Sequence, residues 1–130
     1  MNEVISKNKS INSLIYEIRG KRVMLDSDLA RLYQCTNGTK DINKAVKRNL
    51  ERFPEDFYFQ LTSEDCSRFH FGTLNIERGQ NIRYLPHVFT GRGVAMLSSV
   101  IRTEVASEVS IRIMRAFVSM KQYISSNLLE

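Results

Sequence analysis

The chain has 130 residues, 42% of them hydrophobic and 25% charged, with a net charge of +5 and a pI near 9.4. A single domain of this length buries about two-thirds of its unfolded surface, and such a composition excludes wholesale disorder. Two cysteines are too few for a disulfide scaffold, and no apolar run approaches the ~20 residues of a membrane span.

Residues 1–13, MNEVISKNKSINS, are rich in Asn, Ser and Lys and lack the apolar core of a secretory signal. They read as a flexible N-terminal arm, which leaves 14–130 as one domain. Leu14 to Ile18 and Arg22 to Leu25 are β-prone runs flanking Gly20-Lys21, a pair that suits a type II′ hairpin turn. Asp26 is expected to cap a short helix over Ser27 to Tyr33, with Leu29, Leu32 and Tyr33 facing inward. Gln34 to Gly38 make a turn, Asn37-Gly38 break the chain, and Thr39 is the next expected N-cap.

The segment from Thr39 to Phe53, TKDINKAVKRNLERF, is expected to form one helix that Pro54 stops. Phe57 to Leu61 reads as a strand, and Thr62 with Asp65 as a capping box opening a brief helix to about Phe69. Residues 70–83 hold no sustained period and suit a loop or exposed hairpin. Tyr84 to Phe89 is a short strand that Pro86 should push toward a sheet edge. Thr90 begins a helical segment through Ile101, and Thr103 is expected to cap a long helix over 104–127.

On that last helix Val105, Ala106, Val109, Ile113, Phe117, Met120 and Ile124 form one apolar stripe. Ile111, Met114 and Val118 add a second, so the helix is either sandwiched in the core or paired with a second copy through 104–124. The fold class is α+β: a small β-hairpin and short strands with a helix-turn-helix-like pair, closed by C-terminal helices.

Function is most legible in the Thr39–Phe53 helix. Ile42, Ala45, Val46, Leu50 and Phe53 fall on one face, while Lys40, Lys44, Lys47 and Arg48 fall on the other, with Asn43 beside them and Arg52 at the flank. Five cations stand against Asp41 and Glu51, giving the segment +3 of the chain's +5. Lysines suit phosphate neutralisation as flexible point charges. Arg48 and Asn43 suit base reading, because guanidinium and amide groups bond bidentately to guanine and adenine.

Thr39 and the N–H groups at the helix start are candidates for one phosphate. Arg78 and Arg83 lie in the 70–83 segment, which fits either a wing over the backbone or an ordinary surface loop. Arg52 has Glu51, Glu55 and Asp56 nearby as alternative partners. The competing reading of the whole face is a solvated basic surface.

Three blocks carry a resemblance: IRGKRVMLDSDLARLY (18–33), NKAVKRNLERFPEDFYFQLT (43–62) and YLPHVFTGRGVAMLSSVIR (84–102). In this order they resemble the KilA-N/Bro-N superfamily of phage and bacterial DNA-binding domains, most closely its ORF-six-N branch. The resemblance implies an N-terminal module of a phage or prophage regulator, binding double-stranded DNA in the bacterial cytoplasm, with a further C-terminal domain common. It also admits an antirepressor-type module whose basic face meets an acidic protein partner such as a repressor. Gly91-Arg92 stands where that family often has Glu-Gln.

Catalytic and metal constellations fail. Cys35, Cys66, His70 and His87 include no Cys-x-x-Cys or His-x-x-x-His pair, so no structural metal is expected. The chain lacks Gly-x-Ser-x-Gly, a phosphate-cradling Gly-x-x-x-x-Gly-Lys loop and an acid/base dyad. Neither an enzyme nor a cofactor is expected.

Overall fold

The computed structural model describes residues 11–69 and 85–129. Strands β1 (Tyr16–Ile18), β2 (Lys21–Leu25), β3 (Tyr58–Gln60) and β4 (His87–Thr90) form an antiparallel sheet in the order β1-β2-β4-β3. Around it lie α1 (Asp26–Leu32), α2 (Thr39–Arg48), a 3₁₀ turn (Leu50–Arg52), α3 (Ser63–Arg68), α4 (Gly91–Leu97) and α5 (Ala106–Leu129). The α+β architecture with a closing C-terminal helix follows from the sequence pattern.

Successive strand residues point to opposite faces, and here both faces are apolar. Met24 pairs with Phe89, and Phe89 with Tyr58, so these three side chains share one face. They meet Leu29 and Tyr33 of the α1 region, Ile42 and Val46 of α2, Val94 and Leu97 of α4, and Ile113 and Phe117 of α5. The other face sets Val23, Leu25 and Val88 against Leu61 and against Cys66 of α3. Arg19 ion-pairs with Asp65 at 2.6 Å and lies over the Phe59 ring, tying the hairpin tip to α3.

Several local expectations are corrected. The hairpin turns at Arg19-Gly20, both with positive φ (55° and 75°), because Ile18 pairs directly with Lys21. That is the signature of a type I′ turn, and a type II′ turn at Gly20-Lys21 does not form. Strand β4 lies between β2 and β3, away from the sheet edge. Pro86 precedes its first residue, so no ladder bond is asked of the missing N–H.

Ile11 is buried within a short helical turn over 11–13, so the core begins where the arm was expected to continue. Residues 1–10 of that arm lie outside the described residues. Helix α4 ends at Leu97 instead of Ile101, and α5 starts at Ala106 without a Thr103 side-chain cap, since Thr103 Oγ1 is buried with no hydrogen-bond partner.

Other expectations match. Thr62 Oγ1 accepts from Asp65 N at 3.1 Å while Asp65 Oδ2 accepts from Thr62 N at 2.9 Å, a full capping box. Thr90 caps α4 by accepting from Gly93 N at 3.2 Å. Of the first stripe of α5, Ala106, Val109, Ile113 and Phe117 are buried, whereas Ile111 and Val118 of the second stripe are 51% and 50% exposed.

Candidate nucleic-acid interface

Helix α1 ends in a Schellman motif: Cys35 N donates to Ala30 O at 3.0 Å and Gln34 N to Arg31 O at 3.1 Å. Gln34 takes the left-handed position (φ 56°) that glycine usually fills. The chain then reverses through Gly38, whose φ of 62° and ψ of −139° suit only glycine. Gly38, not Thr39, is the N-cap of α2, and no side chain caps it. Instead Asp41 reaches back, accepting from Asn37 N at 3.0 Å and Asn37 Nδ2 at 3.2 Å. Those bonds hold its carboxyl below the usual aspartate range. A carboxylate therefore already stands at the helix start that the sequence offered to a phosphate.

Helix α2 buries Ile42 and Val46, one turn apart, against α1 and the sheet. The opposite side exposes Lys40, Lys44, Lys47 and Arg48, and none of the four forms an ion pair with another described residue. The α-helix stops at Arg48, so the expected run to Phe53 is broken into a 3₁₀ turn. That rotation leaves Leu50 60% exposed, off the apolar face assigned to it, and carries exposed Arg52 off the helical row.

Between α2 and strands β3 and β4 lies a groove of about 730 Å³ whose lining includes Thr39, Lys40, Asn43, Lys44, Lys47, Tyr58 and His87. Its floor is a polar network around Asp26, which is fully buried and belongs to the first turn of α1 instead of capping it. Asp26 Oδ2 accepts from His87 N at 3.2 Å and from Asn43 Nδ2 at 3.4 Å. Tyr58 OH donates to Asn43 Oδ1 at 3.3 Å. The Tyr58 and His87 rings stack in parallel, 4.8 Å between centroids with 2° between planes.

His87 Nδ1 lies 3.9 Å from Asp26 Oδ2, buried and without a hydrogen-bond partner. Burial pushes the His87 pKa below its ordinary value; Asp26 pulls it up, and Lys47 adds to the downward shift. His87 therefore holds its proton weakly.

The fold gathers Thr39, Lys40, Asn43, Lys44 and Lys47 on one groove. Arg48 lies one row over on the same helix, and Arg52 beyond its end. Asn43, expected to read bases, is half-buried with its amide bonded to Asp26 and Tyr58, so it acts first as a tie between helix and sheet. Arg78 and Arg83 lie outside the described residues. Of the expected partners of Arg52, Asp56 instead sits 3.7 Å from Arg92.

Sequence reasoning read Asp26 only as a helix cap, weighed His87 only as a metal ligand, and gave Tyr58 no role beyond its strand. Among the described residues no three His, Cys, Asp or Glu side chains are grouped to hold a metal ion, and no helix is long and apolar enough to cross a membrane.

Residues 13–100 match the family model described as the ORF6N domain. No curated protein and no solved structure gives a match.

Proposed function

The chain belongs to the ORF6N domain family, and from that premise we propose that it is a non-enzymatic, sequence-preferring DNA-binding module of a phage- or prophage-derived regulator, of the KilA-N/Bro-N type. The single observation that carries the reading is the row of exposed, unpaired cations Lys40, Lys44, Lys47 and Arg48 on one rigid helix. A cationic row backed by a packed apolar face lies along a phosphate backbone at low entropic cost, since the helix is already ordered. Phosphates meet the lysines, and Arg48 is the residue best placed for base edges, because Asn43 is engaged within the fold.

If about five phosphates are neutralised, log K falls with log salt at a slope near −4 to −5. A gel-shift series comparing wild type with Lys44→Ala/Lys47→Ala/Arg48→Ala is the direct test. The expected result is a loss of affinity of about tenfold or more, with a slope shallower by about 2 from the two lysines. A folded triple variant that binds as wild type does removes the reading. Salt-resistant capture of an acidic repressor without any DNA shift would replace it with the antirepressor-type alternative.

Two-fold pairing through exposed Ile111 and Val118, within the 104–124 segment, would set two α2 helices on successive turns of DNA. Sedimentation across micromolar concentrations tests that pairing.

A further inference from the structure

A helix that only lies in the major groove needs a convex cationic face; it has no use for a concavity behind that face. Yet a groove separates α2 from the sheet, with Lys40, Lys44 and Lys47 on one wall and the Tyr58–His87 ring pair on the other. We propose that this groove takes one unpaired nucleotide, its phosphate on the Lys44–Lys47 side and its base against Tyr58 and His87. The inference rests on the DNA-binding reading and gives a ligand class to the same site.

The chemistry of each wall is specific to a nucleoside monophosphate unit. Flexible ammonium groups suit a phosphate, and Lys40, Lys44 and Lys47 supply three of them to this groove. Tyr58 and His87 stack on each other and Tyr58 also packs on Phe89, so the base would stack on the outer face of His87, a contact of the kind that sequence-tolerant binding of unstacked bases uses.

The space of about 730 Å³ accommodates a mononucleotide. A base paired within a duplex cannot enter between helix and sheet. An extruded or bulged base can, at a smaller unstacking cost when it has no partner. A free mononucleotide offers the same chemistry without the chain, but the row of cations continuing to Arg48 favours a nucleotide with further phosphates attached.

The test is a fluorescence-anisotropy comparison of a matched duplex, the same duplex carrying one bulged adenine, and free dAMP. Wild type is expected to bind the bulged duplex about fivefold or more tightly than the matched one. His87→Ala, checked for folding by circular dichroism, is expected to bring the two affinities together.

Equal wild-type affinities for the two duplexes, with no shift of the His87 ring resonances by millimolar dAMP, overturn the groove assignment and leave DNA binding standing. Equal affinities with a dAMP-induced shift keep the nucleotide unit and assign it to a free mononucleotide. Failure of folded wild type to bind either duplex at ~50 mM salt removes the DNA reading itself, and dAMP then decides the groove alone.

Discussion

Two helix pairs share one core in this protein and do opposite things with their outer surfaces. The α1–α2 pair buries a few apolar side chains, exposes four unpaired cations and is tied to the sheet by the polar hub at Asp26. The α4–α5 pair buries Val94, Leu97, Val109, Ile113 and Phe117, and it exposes Ile111 and Val118 among polar and charged residues that include Arg92, Glu108 and Arg115. A ten-residue helix with only Ile42 and Val46 fully inside has little packing to fix its angle, so hydrogen bonds do that work. A longer helix with a wide apolar face is fixed mainly by packing, beside one buried hydrogen bond between Ser110 Oγ and Tyr33 OH at 2.6 Å. The comparison separates where orientation matters from where stability is generated.

That contrast can be broken most severely at Gly93. A Cβ there would lie 1.9 Å from Phe57 O, and backbone atoms cannot step aside. Thr90 fixes this contact from the same strand end, donating from its N to Phe57 O at 3.0 Å and from its Oγ1 to Asp56 O at 2.8 Å. Gly93→Ala is expected to destabilise the domain by about 3 kcal/mol, read as a lowered midpoint in denaturant. A near-wild-type midpoint would mean that the α4 clamp is not a stability element.

Asp26→Ala comes next and should hurt both properties. It strands the His87 N–H and the Asn43 amide in a buried site, at a cost of about 2 kcal/mol. Because the same bonds orient α2, DNA affinity is expected to fall under conditions in which the variant is still fully folded. Unfolding and binding assays run side by side read the two effects separately. If stability alone changes, the hub does not set the helix angle.

Gln34→Gly sharpens the comparison in the stabilising direction. The left-handed position costs a glutamine roughly 1 kcal/mol that glycine avoids, partly offset by the greater freedom of unfolded glycine. The expected gain is a few tenths of a kcal/mol to about 1, seen as a higher denaturation midpoint with unchanged DNA affinity.

The smallest effect concerns pH. Folded His87 has a depressed pKa, so on acidification the unfolded chain takes up this proton first. Stability is then flat well above pH 6.5 and declines as pH falls below it, until folded His87 protonates as well. The groups that face it are Asp26 from α1, Lys47 from α2 and the stacked Tyr58 from β3. Unfolding curves from pH 7.5 to 5.5 for wild type and His87→Gln measure the slope. A slope unchanged in the variant would assign it to other groups.

The sequence by itself determined the features that depend on near neighbours. Periodicity placed α2 and its two faces, the Thr62-x-x-Asp65 spacing made a capping box, and Thr90 capped α4, because each rests on groups within one or two turns. The cations of α2 were legible for the same reason: one helix sets their spacing.

Only the tertiary structure decided what depends on distant strands. It put β4 inside the sheet despite Pro86, ended α2 at Arg48 where chain geometry left Leu50 exposed, and brought Asp26, Asn43, Tyr58 and His87 together from four elements. Such contacts are set by which faces close on a common core, and no local spacing encodes them.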